Sequence, residues 1–287
     1  MAESRGDALK ILHVVPGTSD VANGMVVVAN FLAKEHGEAE VVDLNDAIAH
    51  LSDADEVWVH GMWLPREWQV CRATLKAGKR LVRMTHGALS PVYLKHQSRL
   101  KKRLVSPIEK WLFRKTSRIV ATCEAEKVWI EQYLCRRCPP VEVTDIKRFF
   151  NLDGKECKEV KEHGPLHLLY LGRRHPLKGL TNLEDAVKGV TGVELRAVDN
   201  AFGEEKEKVW NWCDVLVLPT MSENFGLVIA EALERGKRVI TTDGAPAWGD
   251  GNDYGGRLVY LKGYRDGTSL TRVELLKKVI MSLYGCD

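Results

Sequence analysis

The sequence predicts an α/β fold with two parallel sheets flanked by helices, and three observations carry that prediction. Short apolar runs alternate with helix-length segments almost throughout the 287 residues. Repeated β-α units of this kind place helices on both faces of a parallel sheet. The stretch Asn151–Pro165 is rich in Lys, Glu and Gly, poor in large apolar residues, and divides the pattern into two sets. The reading is therefore two Rossmann-like domains, 1–150 and 165–287, joined by a linker at 151–164.

In the first set, Ile11–Val15, Val57–His60, Arg80–Met84 and Arg118–Thr122 read as buried strands, because each is a short apolar run with no exposed-face alternation. The helices between them are Met25–Glu35, Glu67–Ala77 and Glu124–Leu134. In the second set the strands are His167–Leu171, Val193–Val198, Asp214–Leu218, Arg238–Thr242 and Arg257–Leu261. The helices there are Leu180–Lys188, Glu204–Asn211, Phe225–Arg235 and Arg272–Leu283. Open α/β sheets bind ligands beyond the C-terminal ends of their strands, so a cleft between those edges of the two sheets is expected.

Composition narrows the classes. With 45% hydrophobic and 28% charged residues the chain is an ordinary globular protein rather than a disordered one. A net charge of +3 is too small to imply nucleic acid, and no apolar run is long enough to span a bilayer. The first residues lack the apolar region of a secretory signal, and seven scattered cysteines read as free thiols of a reducing cytosol.

Glu223 and Glu231 are the most informative residues. Glu223 falls at a polar turn after the strand Asp214–Leu218, and Glu231 lies eight residues on among Leu227, Val228, Ile229, Ala230 and Leu233. A carboxylate in such a setting is costly to bury without a partner, and adjacent ligand hydroxyls, as on a ribose, would supply one. The alternative for Glu223 is a carboxylate favoured by a helix N-terminus, with Ser222 or Asn224 as cap. Upstream, Gly172-Arg-Arg-His-Pro-Leu-Lys-Gly179 brings Arg173, Arg174 and Lys178 to the end of a strand, where cations and backbone donors suit a diphosphate. Alone the loop reads as solvated surface; the Glu223 turn on the same sheet gives it weight.

In the first domain, Asn23-Gly24 leads into a helix after the first strand, suited to an anion or equally an ordinary β-α turn. Two strands end in His-Gly, at His60-Gly61 and His86-Gly87. His60 reads as structural. His86 is better placed for a sugar hydroxyl, because Ser90-Pro91 follows as a helix cap with proline in the first turn. The segment 95–118 carries nine cations against the single acid Glu109, interleaved with Leu100, Leu104, Ile108, Trp111 and Leu112. Ser106-Pro-Ile-Glu109 has the form of a capping box, so two helices are expected, with the second starting there. Such a face suits either anionic lipid heads or plain solvent. Asp53-Ala-Asp55 precedes its strand and reads as a surface turn; Cys135-Arg-Arg-Cys138 has no second pair to complete a metal site.

Together these residues resemble the retaining glycosyltransferases of family 4, which have the two-domain GT-B fold. Gly172–Gly179 and Leu218–Leu233 carry the strongest likeness, the latter with the family's Glu-x7-Glu spacing at Glu223 and Glu231. His60-Gly-Met-Trp and Thr85-His-Gly-Ala-Leu-Ser-Pro look like bacterial members that build lipopolysaccharide or other surface glycans. The C-terminal domain is shortened by comparison. Asp199-Asn-Ala-Phe202 stands where members usually carry a strand-helix unit, long terminal helices do not follow Leu283, and Ala247 splits the usual Pro-Trp pair.

The resemblance implies transfer of a sugar from a nucleotide diphosphate to a hydroxyl of a glycan or lipid-linked acceptor, with retention and without a metal or other cofactor. Arg173 and Lys178, helped by backbone donors at Gly24, would hold the donor diphosphate. Glu231 would take the ribose hydroxyls. Glu223, with the backbone of Asn224, Phe225 and Gly226, would bind the transferred sugar, and His86 would face that sugar or the acceptor. The setting implied is cytoplasmic, peripheral on the inner face of the cell membrane if 95–118 docks there. Two readings stay open beside it: a non-catalytic GT-B partner of another glycosyltransferase, and a sugar-nucleotide epimerase.

Overall fold

A computed structural model describes residues 9–18, 24–153, 164–199 and 201–284. The chain divides into two compact units, Met1–Asp145 and Ile146–Asp287. Most of the expected linker, 154–163, lies outside the described residues, but the chain just before it belongs to the second unit. There the Arg257 guanidinium donates to the carbonyls of Leu152 and Leu233, the latter at 2.7 Å.

The first unit runs β1 (Ile11–Val15), α1 (Gly24–His36), β2 (Ala39–Asp43), β3 (Glu56–His60), α2 (Pro65–Lys76), β4 (Arg80–Met84), α3 (Pro91–His96), α4 (Arg99–Phe113), β5 (Arg118–Ala121), α5 (Glu124–Leu134) and β6 (Val141–Val143). Its strands form one parallel sheet in the order β2-β1-β3-β4-β5-β6. The second unit runs β7 (Leu166–Leu171), α6 (Leu180–Val187), β8 (Val193–Val198), α7 (Gly203–Trp212), β9 (Val215–Leu218), α8 (Leu227–Glu234), β10 (Arg238–Thr242), β11 (Leu258–Leu261) and α9 (Ser269–Tyr284). Its sheet is also parallel, in the order β11-β10-β9-β7-β8.

Central strands are buried on both faces, as their continuous apolar runs require. Val14, Val57, Val59 and Leu81 pack with Val70, Cys71 and Leu112 on one face of the first sheet, and Phe113, Ile119, Ala121 and Ile130 fill a second cluster. In the second unit Leu168, Leu169, Leu216, Val217, Val239 and Ile240 are fully buried. The edge strands β2 and β6 were not among the expected elements. Each is short and half-exposed, and each mixes charge into its apolar residues, so neither shows the run that marks a buried strand.

The capping box expected at Ser106 does not form. α4 continues through Pro107, and the break between helices falls at Gln97–Ser98 instead. Tertiary partners take both ends of the motif. Ser106 Oγ bonds Tyr133 Oη at 2.7 Å, while Glu109 is fully buried and accepts from Trp63 N (2.6 Å), Trp68 Nε1 (2.8 Å) and Arg83 Nη2 (3.4 Å). The cap expected at Ser90 does form, its Oγ accepting from Tyr93 N at 3.1 Å.

Candidate functional site

Because β7 and β9 are adjacent and parallel, the loops that follow them leave the same edge of the second sheet. After β7 the chain passes Gly172 and makes a single tight turn at Pro176–Lys178, ended by Gly179 with φ +72°. A Cβ on Gly179 would stand 2.0 Å from the carbonyl oxygen of Pro219, so only glycine lets the two loops meet. Met221 N and Thr220 Oγ1 then both donate to the carbonyl of Leu177, at 2.7 and 3.1 Å. The loop after β10 closes on the other side, where Glu223 N donates to the carbonyl of Gly244 at 2.8 Å. A Cβ on Gly244 would lie 2.1 Å from the carbonyl oxygen of Thr220.

This interlock brings Lys178 against Glu223. The ammonium donates to Glu223 Oε2, and the two side chains are 17% and 19% exposed, which shields the pair from full solvent screening. Arg173 stands apart. Its guanidinium is exposed and makes no hydrogen bond or ion pair among the described residues, while its carbonyl accepts from Tyr170 Oη at 2.9 Å. Burial and then the charge of Glu223 push the Tyr170 phenol well up. Arg174 turns toward the sheet edge, with Nη2 donating to Ala197 O at 3.4 Å.

α8 begins after Gly226 with no side-chain cap, so neither Ser222 nor Asn224 caps it as expected. Their backbone groups are spent inside the loop: Ser222 N donates to Thr220 Oγ1 and Asn224 N to Glu223 Oε1, each at 3.2 Å. Ile229 N donates to the carbonyl of Gly226 at 2.8 Å, which leaves the N–H groups of Leu227 and Val228 without an acceptor in the helix. Phe225 is buried between Phe150 and Trp248, and its carbonyl accepts from Trp248 Nε1; what it offers a ligand is backbone N–H. Glu231 has a partner that the sequence reading missed. Lys206 of α7 reaches both carboxylate oxygens, at 2.9 and 2.8 Å. No hydrogen bond or ion pair among the described residues joins this pair to Lys178 and Glu223.

Gly24 and His86 belong to the first unit. Gly24 opens α1, and residues 19–23 of the expected anion loop lie outside the described residues. His86 sits at the C-terminal end of β4 with φ +49°, a left-handed conformation rare outside glycine and asparagine. Glu126 holds it there: Oε1 accepts from Thr85 Oγ1 and Gly87 N, both 2.6 Å, and Oε2 accepts from Thr122 N and Oγ1, both 2.8 Å. Behind His86 runs a row of imidazoles. His86 Nε2 meets His60 Nδ1 at 2.8 Å, His60 Nε2 meets His13 Nδ1 at 2.9 Å, and His13 Nε2 meets His36 Nδ1 at 3.1 Å. Burial, then the charge of His36, holds His13 down at about 3; burial holds His60 well below its ordinary value; and burial lowers His86 to about 4 against the pull of Glu126.

A depression of about 510 Å³ lies beyond β1–β3 of the same unit, lined in part by Gly17, Asp43, Asn45 and Arg66. Among the described residues, no group of three or more His, Cys, Asp or Glu side chains is arranged to hold a metal ion, and no helix is long and apolar enough to cross a membrane. On α4 the side chains of Leu104, Ile108 and Trp111 share one face and are all exposed.

Residues 154–262 match the family model of Glycosyl transferases group 1. The matched group 1 segment contains Arg173, Lys178, Glu223 and Glu231, together with the Gly179 and Gly244 contacts that hold the loops. No curated protein matches the chain in sequence. In structure it is similar to a sucrose-phosphate synthase from Thermosynechococcus elongatus, with TM-score 0.65 and 12% identity over 97% of this chain and 91% of that one. It is similar also to the catalytic domain of starch synthase IV from Arabidopsis thaliana, bound to ADP and acarbose, with TM-score 0.63 and 11% identity over 98% and 93%. A third is the lipopolysaccharide outer core galactosyltransferase WaaB in its apo form, with TM-score 0.56 and 14% identity over 97% and 94%. At these identities the likeness establishes the fold, the two Rossmann-like units of the GT-B glycosyltransferases.

Proposed function

We propose that the protein is a retaining glycosyltransferase, moving a sugar from a nucleotide diphosphate to a hydroxyl of a glycan or lipid-linked acceptor in surface-glycan or lipopolysaccharide synthesis. The observation that carries this reading is the Lys178–Glu223 pair, fixed by three interlocked loops at the C-terminal sheet edge inside the group 1 segment. A departing nucleoside diphosphate gains negative charge. The exposed Arg173, the ammonium of Lys178 and the uncapped start of α8 supply positive charge and N–H donors for it, without requiring a metal. Glu223 keeps lone pairs for hydroxyls of the transferred sugar. Tied to an ammonium, it is a weak nucleophile, which favours attack on the face the phosphate leaves over a covalent glycosyl-enzyme. Glu231, oriented by Lys206, accepts from the ribose hydroxyls, and His86 serves a sugar hydroxyl. The exposure of Leu104, Ile108 and Trp111 on α4, within the cation-rich sequence 95–118, supports docking on an anionic membrane surface at the inner face of the membrane.

The test is product analysis with sugar nucleotides and hydroxyl acceptors. The reading expects free nucleoside diphosphate and a glycoside of unchanged anomeric configuration; an inverted product would refute retention, and epimerised donor without transfer would refute the reaction. One observation favours a second reading. Both carboxylates are already paired internally, with Lys178 and Lys206, as a non-catalytic partner of another glycosyltransferase would tolerate. Calorimetric titration with UDP and GDP that gave no heat with either would favour it.

A further inference from the structure

Four histidines from four separate elements stand in one hydrogen-bonded row: His36 on α1, His13 on β1, His60 on β3 and His86 after β4. Each N···N contact needs one N–H. His13 and His60 use both ring nitrogens, and a neutral imidazole carries one N–H, so each donates at one nitrogen and accepts at the other. The row therefore has two neutral arrangements. In one, His86, His60 and His13 all carry hydrogen on Nε2 and donate toward His36. In the other, His36, His13, His60 and His86 all carry it on Nδ1, and the bonds point toward His86. Burial keeps His13 and His60 neutral, as the rule requires.

We infer that protonation of His36 fixes, through His13 and His60, the Nδ1 of His86 as a hydrogen-bond donor, and that only a neutral His36 lets that nitrogen accept. A doubly protonated His36 cannot accept at Nδ1, so the first arrangement is excluded and His86 presents Nδ1–H. His86 makes no hydrogen bond through that nitrogen among the described residues, so it is the one a ligand hydroxyl would meet. The same row can carry a proton. A hydroxyl proton taken up at His86 Nδ1 displaces the Nε2 proton of His86 to His60, that of His60 to His13, and that of His13 to His36 Nδ1. The oxygen keeps its electron pair, and His36 becomes the imidazolium. It lies half-buried in the last turn of α1, where the helix dipole favours a cation.

Among the described residues, charged groups near the row come from several elements. Lys34 and Glu35 share the end of α1 with His36, and Glu38 follows it. Behind Trp58, which packs on His13 and His36, Glu56 of β3 is neutralised by Arg118 of β5 and Arg80 of β4. Glu126 of α5 lies under His86 with its oxygens already filled. His36, His13 and His60 are thus positioning residues for His86. The coupling among the rings does not depend on glycosyl transfer, though a use for it at a sugar hydroxyl rests on that reading.

Two-bond ¹H–¹⁵N spectra of the full chain labelled at histidine distinguish the tautomers directly. With His36 doubly protonated, the expected result is neutral Nδ1–H at His13, His60 and His86; with it neutral, the three inner rings still share one tautomer, and Nε2–H becomes open to all three together. In His36→Gln, a conservative change at a half-buried site, His86 should keep one tautomer across that range. The inference is overturned if the three inner rings hold different tautomers, if His86 carries Nε2–H while His36 is doubly protonated, or if the tautomer of His86 still changes with pH in His36→Gln. Neither spectrum requires a substrate, so failure here is separable from failure of the proposed reaction.

Discussion

Lys178 and Glu223 come from loops after neighbouring strands, 45 positions apart in sequence, and form a mostly buried ion pair. Neither can move alone, because Gly179 and Gly244 let three loop backbones approach more closely than any side chain would permit. Removing one partner therefore exposes the need of the other. Lys178→Ala leaves a shielded carboxylate unpaired and should cost about 1–3 kcal/mol of stability, measured by urea unfolding. The double variant Lys178→Ala/Glu223→Gln should recover part of that loss. Strict additivity of the two single changes would mean the pair contributes nothing.

Gly179 and Gly189 make a matched comparison. Both have left-handed φ, +72° and +73°, but a Cβ at Gly189 meets nothing within 4 Å. Gly189→Ala should cost about 1 kcal/mol from backbone conformation alone. Gly179→Ala should cost at least about 2 kcal/mol more, through the clash with Pro219 and displacement of Lys178. Equal melting temperatures in the two variants would show that the loops are not interlocked as described.

Arg173 should separate function from folding. It is exposed and unpaired among the described residues, so Arg173→Ala should change stability by no more than about 0.5 kcal/mol. Donor turnover should fall by about a hundredfold, the scale for losing one donor to developing charge. Unchanged turnover would remove Arg173 from the site.

The histidine row predicts acid sensitivity with a definite sign. His13 and His86 are held at about 3 and about 4 in the folded chain, against an ordinary imidazole value of about 6.5 once unfolded. Below that value the unfolded chain binds more protons than the folded one. Stability from keeping these rings neutral is thus fully present above about pH 6.5 and lost as pH falls toward their folded values, by about 1.4 kcal/mol per pH unit for each ring. Urea midpoints at pH 7.5, 6.0 and 5.0 should fall steeply for the wild type and less steeply for His13→Phe. An identical slope would mean the ring is not held neutral.

Leu104, Ile108 and Trp111 are 65%, 41% and 50% exposed, so polar replacements there should leave folding intact. Vesicles with anionic headgroups should sediment the wild type at low salt, weakly at high salt, and the Leu104→Ser/Trp111→Ser variant poorly at either. A wild type that stayed in solution at low salt would end the membrane proposal.

The central strands and their helices were legible because a strand buried on both faces must be a continuous apolar run, and Ile11–Val15 or Leu168–Leu171 is little else. The edge strands β2 and β6 lack that signature. Ser106–Glu109 shows where local rules stop. Its capping box is sound chemistry for a free helix, but Arg83, Trp63 and Trp68 use Glu109 for a buried network across 26 to 46 positions, which no local pattern reveals. The same holds for Glu231. Its apolar surroundings pointed to a ligand hydroxyl as partner, yet Lys206, 25 positions upstream on another helix, reaches both oxygens. The four-histidine row was invisible for the same reason, since its members are spaced for sheet neighbours and not for any motif. Nothing in the sequence around Gly179 and Gly244 announces the close backbone contacts that fix the site.

Saturation-transfer NMR against a panel of nucleotide-diphosphate sugars, run on the wild type and on Lys178→Ala, tests the account most directly. The expected result is transfer to the ribose, base and sugar protons of one donor, weakened at least tenfold in the variant. Wild-type protein that transfers saturation to none of them, or a variant that binds as well as the wild type, would contradict it.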